Sequence, residues 1–133
     1  MVNKIIGITP ARGGSKGLPR KNVKEFCGKP LIFWTIEAAL QSQLLDRYIV
    51  STEDNEIMLL AKKLGAEVIE RPFDLATDKV PTLAVLQDVL KHIDADIMVL
   101  LQATSPIRDS GLIDHCITRF LDTGADSLAT GFI

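Results

Sequence analysis

The sequence is short of cysteine, of long apolar runs and of the familiar nucleotide-loop spacings, and each shortage excludes something. Its 133 residues hold two cysteines, Cys27 and Cys116, too far apart for a metal-ligating or redox spacing. A zinc site or a disulfide scaffold is thereby excluded, and a reduced, intracellular compartment is expected. No apolar run approaches the ~18 residues a membrane helix needs, and the stretch after Met1 is too short for a signal peptide. There is no internal repeat, low-complexity tract or linker. The two histidines, His92 and His115, fall in helical stretches without a partnered nucleophile, so no Ser-His-Asp or Cys-His set emerges.

What is present is one domain's worth of globular sequence, 47% hydrophobic and 24% charged, too apolar for a disordered chain. A net charge of -2 offers no bulk attraction to nucleic acid or membrane. The charge is nevertheless divided. Residues 1–30 hold seven basic side chains against Glu25 alone, a balance of +6, which leaves -8 for the remainder. A nucleic-acid arm would lack the apolar strand and tight glycines found here, so a compact anionic ligand fits this block better.

Hydrophobic periodicity alternates strand and helix. Lys4–Thr9 is a β-branched run of the kind buried in parallel sheets. A Gly- and Lys-rich loop follows from Pro10 to about Lys29, then an apolar helix over Leu31–Leu45 with Pro30 in its first turn. Asp46–Thr52 reads as a strand, Glu53–Leu64 as a helix stopped by Gly65, and Glu67–Glu70 as a third strand. Thr82 is placed to cap a helix running to His92, Asp96–Leu101 is a further strand, and a turn spans Gln102–Arg108. A helix from Asp109 or Ser110 to Gly124 and a strand over Asp126–Phe132 complete the pattern, and the last strand reads as cut short. Alternation of this kind predicts an α/β fold with a Rossmann-like, doubly wound, mainly parallel sheet. Ligands of such sheets bind beyond the carboxyl ends of the strands, where Arg12–Asn22, Thr52–Glu56, Arg71–Thr82 and Gln102–Arg108 fall.

The first of these segments, ITPARGGSKGLPRKN, is the most informative. Gly13, Gly14 and Gly17 permit tight turns and a close approach of backbone amides to phosphate oxygens, while Arg12, Lys16, Arg20 and Lys21 supply positive charge. It is neither a Walker loop, since Leu18 follows Gly17, nor a G-x-G-x-x-G dinucleotide turn. A triphosphate cradle is the expected role.

The string ARGGSKGLPRKN resembles the signature of the acylneuraminate cytidylyltransferases (CMP-N-acetylneuraminic acid synthetases). IVSTEDNEI at 49–57, ERPFDLATD at 70–78 and LLQATSPIR at 100–108 match further blocks in order, so the resemblance covers essentially the whole chain. It implies a fold of the nucleotide-diphospho-sugar transferase type and a magnesium-assisted reaction of CTP with a nine-carbon 2-keto sugar acid, giving a CMP-sugar and pyrophosphate. The 3-deoxy-manno-octulosonate cytidylyltransferases are the second choice, because GGSKGLPRKN lacks the elements usual in their first loop. A truncated, non-catalytic nucleotide-binding domain is the remaining alternative.

Carried over by position, the resemblance gives Arg12 and Lys21 the catalytic, triphosphate-binding role. It makes Gly13, Ser15, Lys16 and Asn22 nucleotide contacts, and puts Arg71 near the cytosine. Thr82 stands where serine often meets the base, and Gln102 is assigned to the sugar acid. Residue chemistry alone keeps alternatives open: a turn residue for Asn22, a rim ion pair with Glu70 or Asp74 for Arg71, a helix cap for Thr82, an exposed charge for Arg108. The acidic run Glu53-Asp54-Asn55-Glu56 is explained by the positive end of a helix dipole rather than by a metal, and Phe33 and Trp34 are expected in the core. No metal ligand is assigned within the chain. The resemblance further implies cytoplasmic location, a homodimer for the full-length family, and a C-terminal part carrying dimerisation surface and most Mg2+ ligands beyond this 133-residue nucleotide-binding domain.

Overall fold

The computed structural model describes residues 4–13, 21–75, 81–103 and 111–124. Four parallel strands, β1 (Ile5–Pro10), β4 (Arg47–Thr52), β5 (Glu67–Glu70) and β6 (Ile97–Leu100), form a sheet in the order β5-β4-β1-β6. A two-stranded antiparallel hairpin, β2 (Glu25–Phe26) and β3 (Lys29–Pro30), stands apart from it. The helices are α1 (Leu31–Leu40), α2 (Asn55–Lys63), α3 (Thr82–Leu90) and α4 (Leu112–Thr123). The chain steps from β1 outward to β4 and β5, then returns across the sheet to place β6 on the other side of β1. That reversal is the switch point of a doubly wound sheet, where a crevice opens beyond the strand ends.

The two central strands, β1 and β4, are buried on both sides, while the edge strands β5 and β6 are only partly covered. Ile6, Ile8 and Ile49 pack with Val89 of α3, joined by Leu86, Ile93 and Met98. Tyr48, Val50 and Ile5 face the other way, against Ile32 and Ile36 of α1, Ile57 and Ala61 of α2, and Ile113 and Ile117 of α4. Each fully buried isoleucine contributes about 1.5–3 kcal/mol relative to leaving it exposed. Gly7 lies at the centre of β1, where an added Cβ would meet Leu45 Cδ1 at 2.8 Å and Tyr48 Cδ1 at 3.2 Å.

Several boundaries move from those expected. The first helix ends at Leu40 instead of Leu45, because the segment after it is captured by Ser42 and Asp114. The loop before it contains the β2–β3 hairpin, which reverses at Cys27 and Gly28, both at positive φ. Pro30 occupies the N-cap position, ahead of the first turn. Phe33 and Trp34 are half-buried and outside the core: their rings meet edge to face at 5.1 Å, and Trp34 Nε1 donates to the Phe26 carbonyl at 2.7 Å, pinning the hairpin to α1. Gly65, at φ +98, does stop α2 as expected. Pro81, not Thr82, is the N-cap of α3, and its side chain makes no capping bond. The helix over 82–92 ends at Leu90, the helix expected from Asp109 or Ser110 starts only at Leu112 behind Gly111 as its N-cap, and the strand over 126–132 lies outside the described residues.

Candidate functional site

Strand register brings together the segments that leave the carboxyl end of the sheet. Pro10 pairs with Ser51, and the Ala11 amide donates to the Ser51 carbonyl at 2.9 Å. Thr52 pairs with Glu70, and the Arg71 amide donates to the Thr52 carbonyl at 2.9 Å. On the other side of β1 the Leu101 amide donates to the Ile8 carbonyl at 2.9 Å. Glu53 and Arg71 therefore follow directly upon the ends of their strands, and Arg12 and Gln102 stand one residue further on from theirs.

The start of the basic loop is tightly held. Asn22, buried in a short 3-10 turn over Lys21–Val23, donates from Nδ2 to the Arg12 carbonyl at 2.9 Å. The Gly13 amide donates to Glu53 Oε1 at 2.6 Å, a charge-assisted bond between two buried groups. The Gly13 amide, expected to face a phosphate, thus points to a carboxylate in this structure. Asn22, expected to contact nucleotide, spends its amide donor on the backbone of Arg12.

Arg71 is only 3% exposed, which removes the rim ion pair from consideration. Its Nη1 reaches the Leu75 carbonyl at 3.5 Å, whereas Nε and Nη2 are buried without a hydrogen-bond partner among the described residues. Burial pushes its pKa below the ordinary arginine range. The neighbouring carboxylates of Glu53 and Asp88 oppose that shift, and the Arg12 cation adds to it. The guanidinium remains a cation at neutral pH. Ser51 Oγ, Glu53 Oε2 and Asp88 Oδ2 are likewise buried and without hydrogen-bond partners. A small group of unsatisfied polar atoms thus lies at this end of the sheet, a feature that calls for water or a ligand.

Gln102 is exposed, and its carbonyl accepts from Thr35 Oγ1 at a long 3.5 Å. Ser15, Lys16, Ser105 and Arg108 and the side chains of Lys21 and Thr82 lie outside the described residues. Of the acidic run, Asp54 behaves as expected: it is the N-cap of α2 and accepts from the Ile57 amide at 3.0 Å, with Glu56 in the first turn. Glu53 does not. It precedes the cap, is 9% exposed and turns inward to Gly13. Asp88 was legible from its position: Val85, Asp88 and Val89 share the buried stripe of α3, and an acid in such a stripe requires a polar reason. Among the described residues no three His, Cys, Asp or Glu side chains form a group able to hold a metal ion, and no helix is long and apolar enough to cross a membrane.

The sequence and the structure both match known proteins. The chain is 45% identical over 121 residues to the N-acylneuraminate cytidylyltransferase of Escherichia coli, covering 90% of this chain and 29% of that protein. It is 41% identical over 127 residues to the CMP-N,N'-diacetyllegionaminic acid synthase of Legionella pneumophila, covering 91% and 55% respectively. The chain therefore spans roughly a third to a half of the length of such relatives. A structure of a CMP:2-keto-3-deoxy-manno-octonic acid synthetase complexed with CTP superposes with a TM-score of 0.80 at 27% identity, over 92% of this chain and 49% of that one. A cytidylyltransferase from Leptospira borgpetersenii superposes with a TM-score of 0.75 at 27% identity, over 90% and 50%. The sequence pattern described as "Cytidylyltransferase" matches residues 6–133, nearly the whole chain, and the chain belongs to that family.

Proposed function

We propose that this chain is the nucleotide-binding domain of an enzyme that activates a nine-carbon 2-keto sugar acid, sialic acid or a relative, with CTP. The observation that carries the reading is the convergence of Arg12, Asn22, Gly13 and the buried Arg71 at the carboxyl end of the sheet, beside the switch between β1 and β6. Relatives named for N-acylneuraminate, pseudaminic acid and diacetyllegionaminic acid support the acceptor class. A 35% identical 3-deoxy-manno-octulosonate cytidylyltransferase from Bdellovibrio bacteriovorus supports the second choice of acceptor.

In the proposed reaction the anomeric hydroxyl oxygen of the sugar acid attacks the α-phosphorus of CTP. A new P–O bond forms, the bond from that phosphorus to the bridging oxygen breaks, pyrophosphate leaves with the electron pair, and the hydroxyl proton is lost. Such a displacement needs positioning and charge neutralisation above all. Arg12 and Lys21 take the triphosphate charge in this scheme, Ser15 and Lys16 complete the loop around it, Gly13 leads into that loop with its amide held by Glu53, Arg71 and Thr82 serve the base, and Gln102 serves the sugar acid.

Magnesium would supply further neutralisation at the phosphates. The described carboxylates do not suit it: Glu53 is committed to the Gly13 amide and both it and Asp88 neighbour the Arg71 cation. The metal's ligands are proposed to belong to other parts of the whole protein, as is the surface of a homodimer. A cytoplasmic location belongs to the same proposal.

Incubation with CTP, magnesium and, in separate arms, N-acetylneuraminate, the legionaminic and pseudaminic acids and 3-deoxy-manno-octulosonate tests the reading, with pyrophosphate release and CTP binding both measured. Turnover with a nine-carbon acid is expected of the whole protein. CTP binding without pyrophosphate from this chain would leave it a nucleotide-binding domain without turnover, and failure to bind CTP would overturn the reading.

A further inference from the structure

The carbonyl of Arg12 and the amide of Gly13 belong to one peptide unit, and both are held by side chains from elsewhere in the chain. Asn22 donates to the carbonyl at 2.9 Å, and Glu53 accepts from the amide at 2.6 Å. A planar peptide gripped at both polar ends cannot rotate about its flanking bonds without breaking a buried hydrogen bond. Its orientation sets the direction in which the chain enters the basic loop and in which Arg12 departs from β1.

Glu53 has a second neighbour. It follows the end of β4, and the backbone bond from Arg71 to Thr52 seats Arg71 alongside it on the adjacent strand. Glu53 is 9% exposed and Arg71 3%, so each charge is shielded from water by the same packing. Glu53 Oε2 and Arg71 Nε and Nη2 have no hydrogen-bond partners among the described residues, and the Glu53 charge acts on the buried guanidinium through space. Asp88, 6% exposed on α3, adds a second negative charge near the guanidinium.

We propose that Glu53 is a positioning residue of the nucleotide site, one that with Asn22 fixes the Arg12–Gly13 peptide and by its charge seats the Arg71 guanidinium. It thereby couples the loop that would receive phosphates to the arginine that would face the base. The inference rests on the reading of this site as a CTP site, and adds to it a residue that touches neither phosphate nor base.

The test compares the unsubstituted chain with Glu53→Ala and Glu53→Gln, following amide hydrogen exchange at Gly13, CTP affinity by calorimetry and thermal unfolding. Alanine removes both the acceptor and the charge. Gly13 exchange is expected to accelerate at least tenfold and the CTP Kd to rise at least tenfold. Glutamine keeps an acceptor oxygen and loses the charge, so Gly13 protection is expected to persist while the Kd still rises about fivefold, with little change in Tm. A purely structural role would lower Tm and leave the Kd of the folded variants alone. CTP affinity within twofold of the parent in folded Glu53→Ala, or in Glu53→Gln should the alanine variant not fold, overturns the proposal. Absence of CTP binding by the parent chain overturns instead the reading beneath it.

Discussion

The Ser42 hydroxyl donates to Asp114 Oδ1, tying the segment that leaves α1 to the first turn of α4. The same carboxylate also accepts from the Gln43 amide at 2.9 Å and the Leu44 amide at 3.2 Å. Desolvation alone would raise the pKa of Asp114. The bonds from Ser42, Gln43 and Leu44 outweigh it and hold the carboxyl below the usual range. A folded-state pKa below the unfolded value, ~3.9, gives stability that is present above that value and lost as pH falls through the folded pKa. In urea denaturation Asp114→Asn is expected to be less stable than the parent at pH 7, the gap closing as pH drops below about 4. A gap independent of pH would contradict this.

Gly7→Ala tests the packing behind the site. The new methyl would press on Leu45 and on Tyr48, whose hydroxyl is bonded to Thr9 Oγ1. A destabilisation of about 1–3 kcal/mol is expected, as for other overpacked cores, read as a lower urea midpoint with unchanged slope.

Arg12→Ala removes the cation at the mouth of the loop. Loss of a charge-assisted contact to phosphate is expected to weaken CTP binding by ~1.5–3 kcal/mol. An unchanged Kd would make Arg12 an ordinary surface charge.

Asn22→Asp is nearly isosteric but replaces the Nδ2 donor with a carboxylate facing the Arg12 carbonyl. A partly buried bond becomes a repulsion, so a loss of about 1–3 kcal/mol of stability is expected. Weaker CTP binding should accompany it, because the peptide that Asn22 holds leads into the loop. Full stability in chemical denaturation would show that the amide is not needed there.

Where periodicity was strong, the sequence was readable. The runs at 5–10, 47–52, 67–70 and 97–100 became adjacent parallel strands, the first two, rich in β-branched residues, buried on both faces and the last two partly covered at the edges. The hairpin over 25–30 escaped detection, since two residues per strand carry no period and Cys27 is an unusual residue at positive φ. Arg71 was picked out by resemblance, but its burial was not, because a charged residue next to Glu70 and Asp74 looks like surface. Glu53 was assigned to the helix dipole together with Asp54 and Glu56. One residue's difference in position, before the cap instead of at it, decides whether a carboxylate caps the helix or turns away from it, and composition does not register that difference.

The order β5-β4-β1-β6 has a consequence for how the molecule is made. The β1–β4 register joins residues about 40 apart, and Ile5 pairs with Ile97 across more than 90. Pairings so distant in sequence are slow to form. During synthesis β1 is translated first yet keeps one hydrogen-bonding edge bare until β6 emerges, an opening for association with another unfinished chain. The basic loop inherits that delay: its entry peptide can be gripped by Glu53 once β4 has docked, but the crevice beside it has no second wall until residue 100 has left the ribosome.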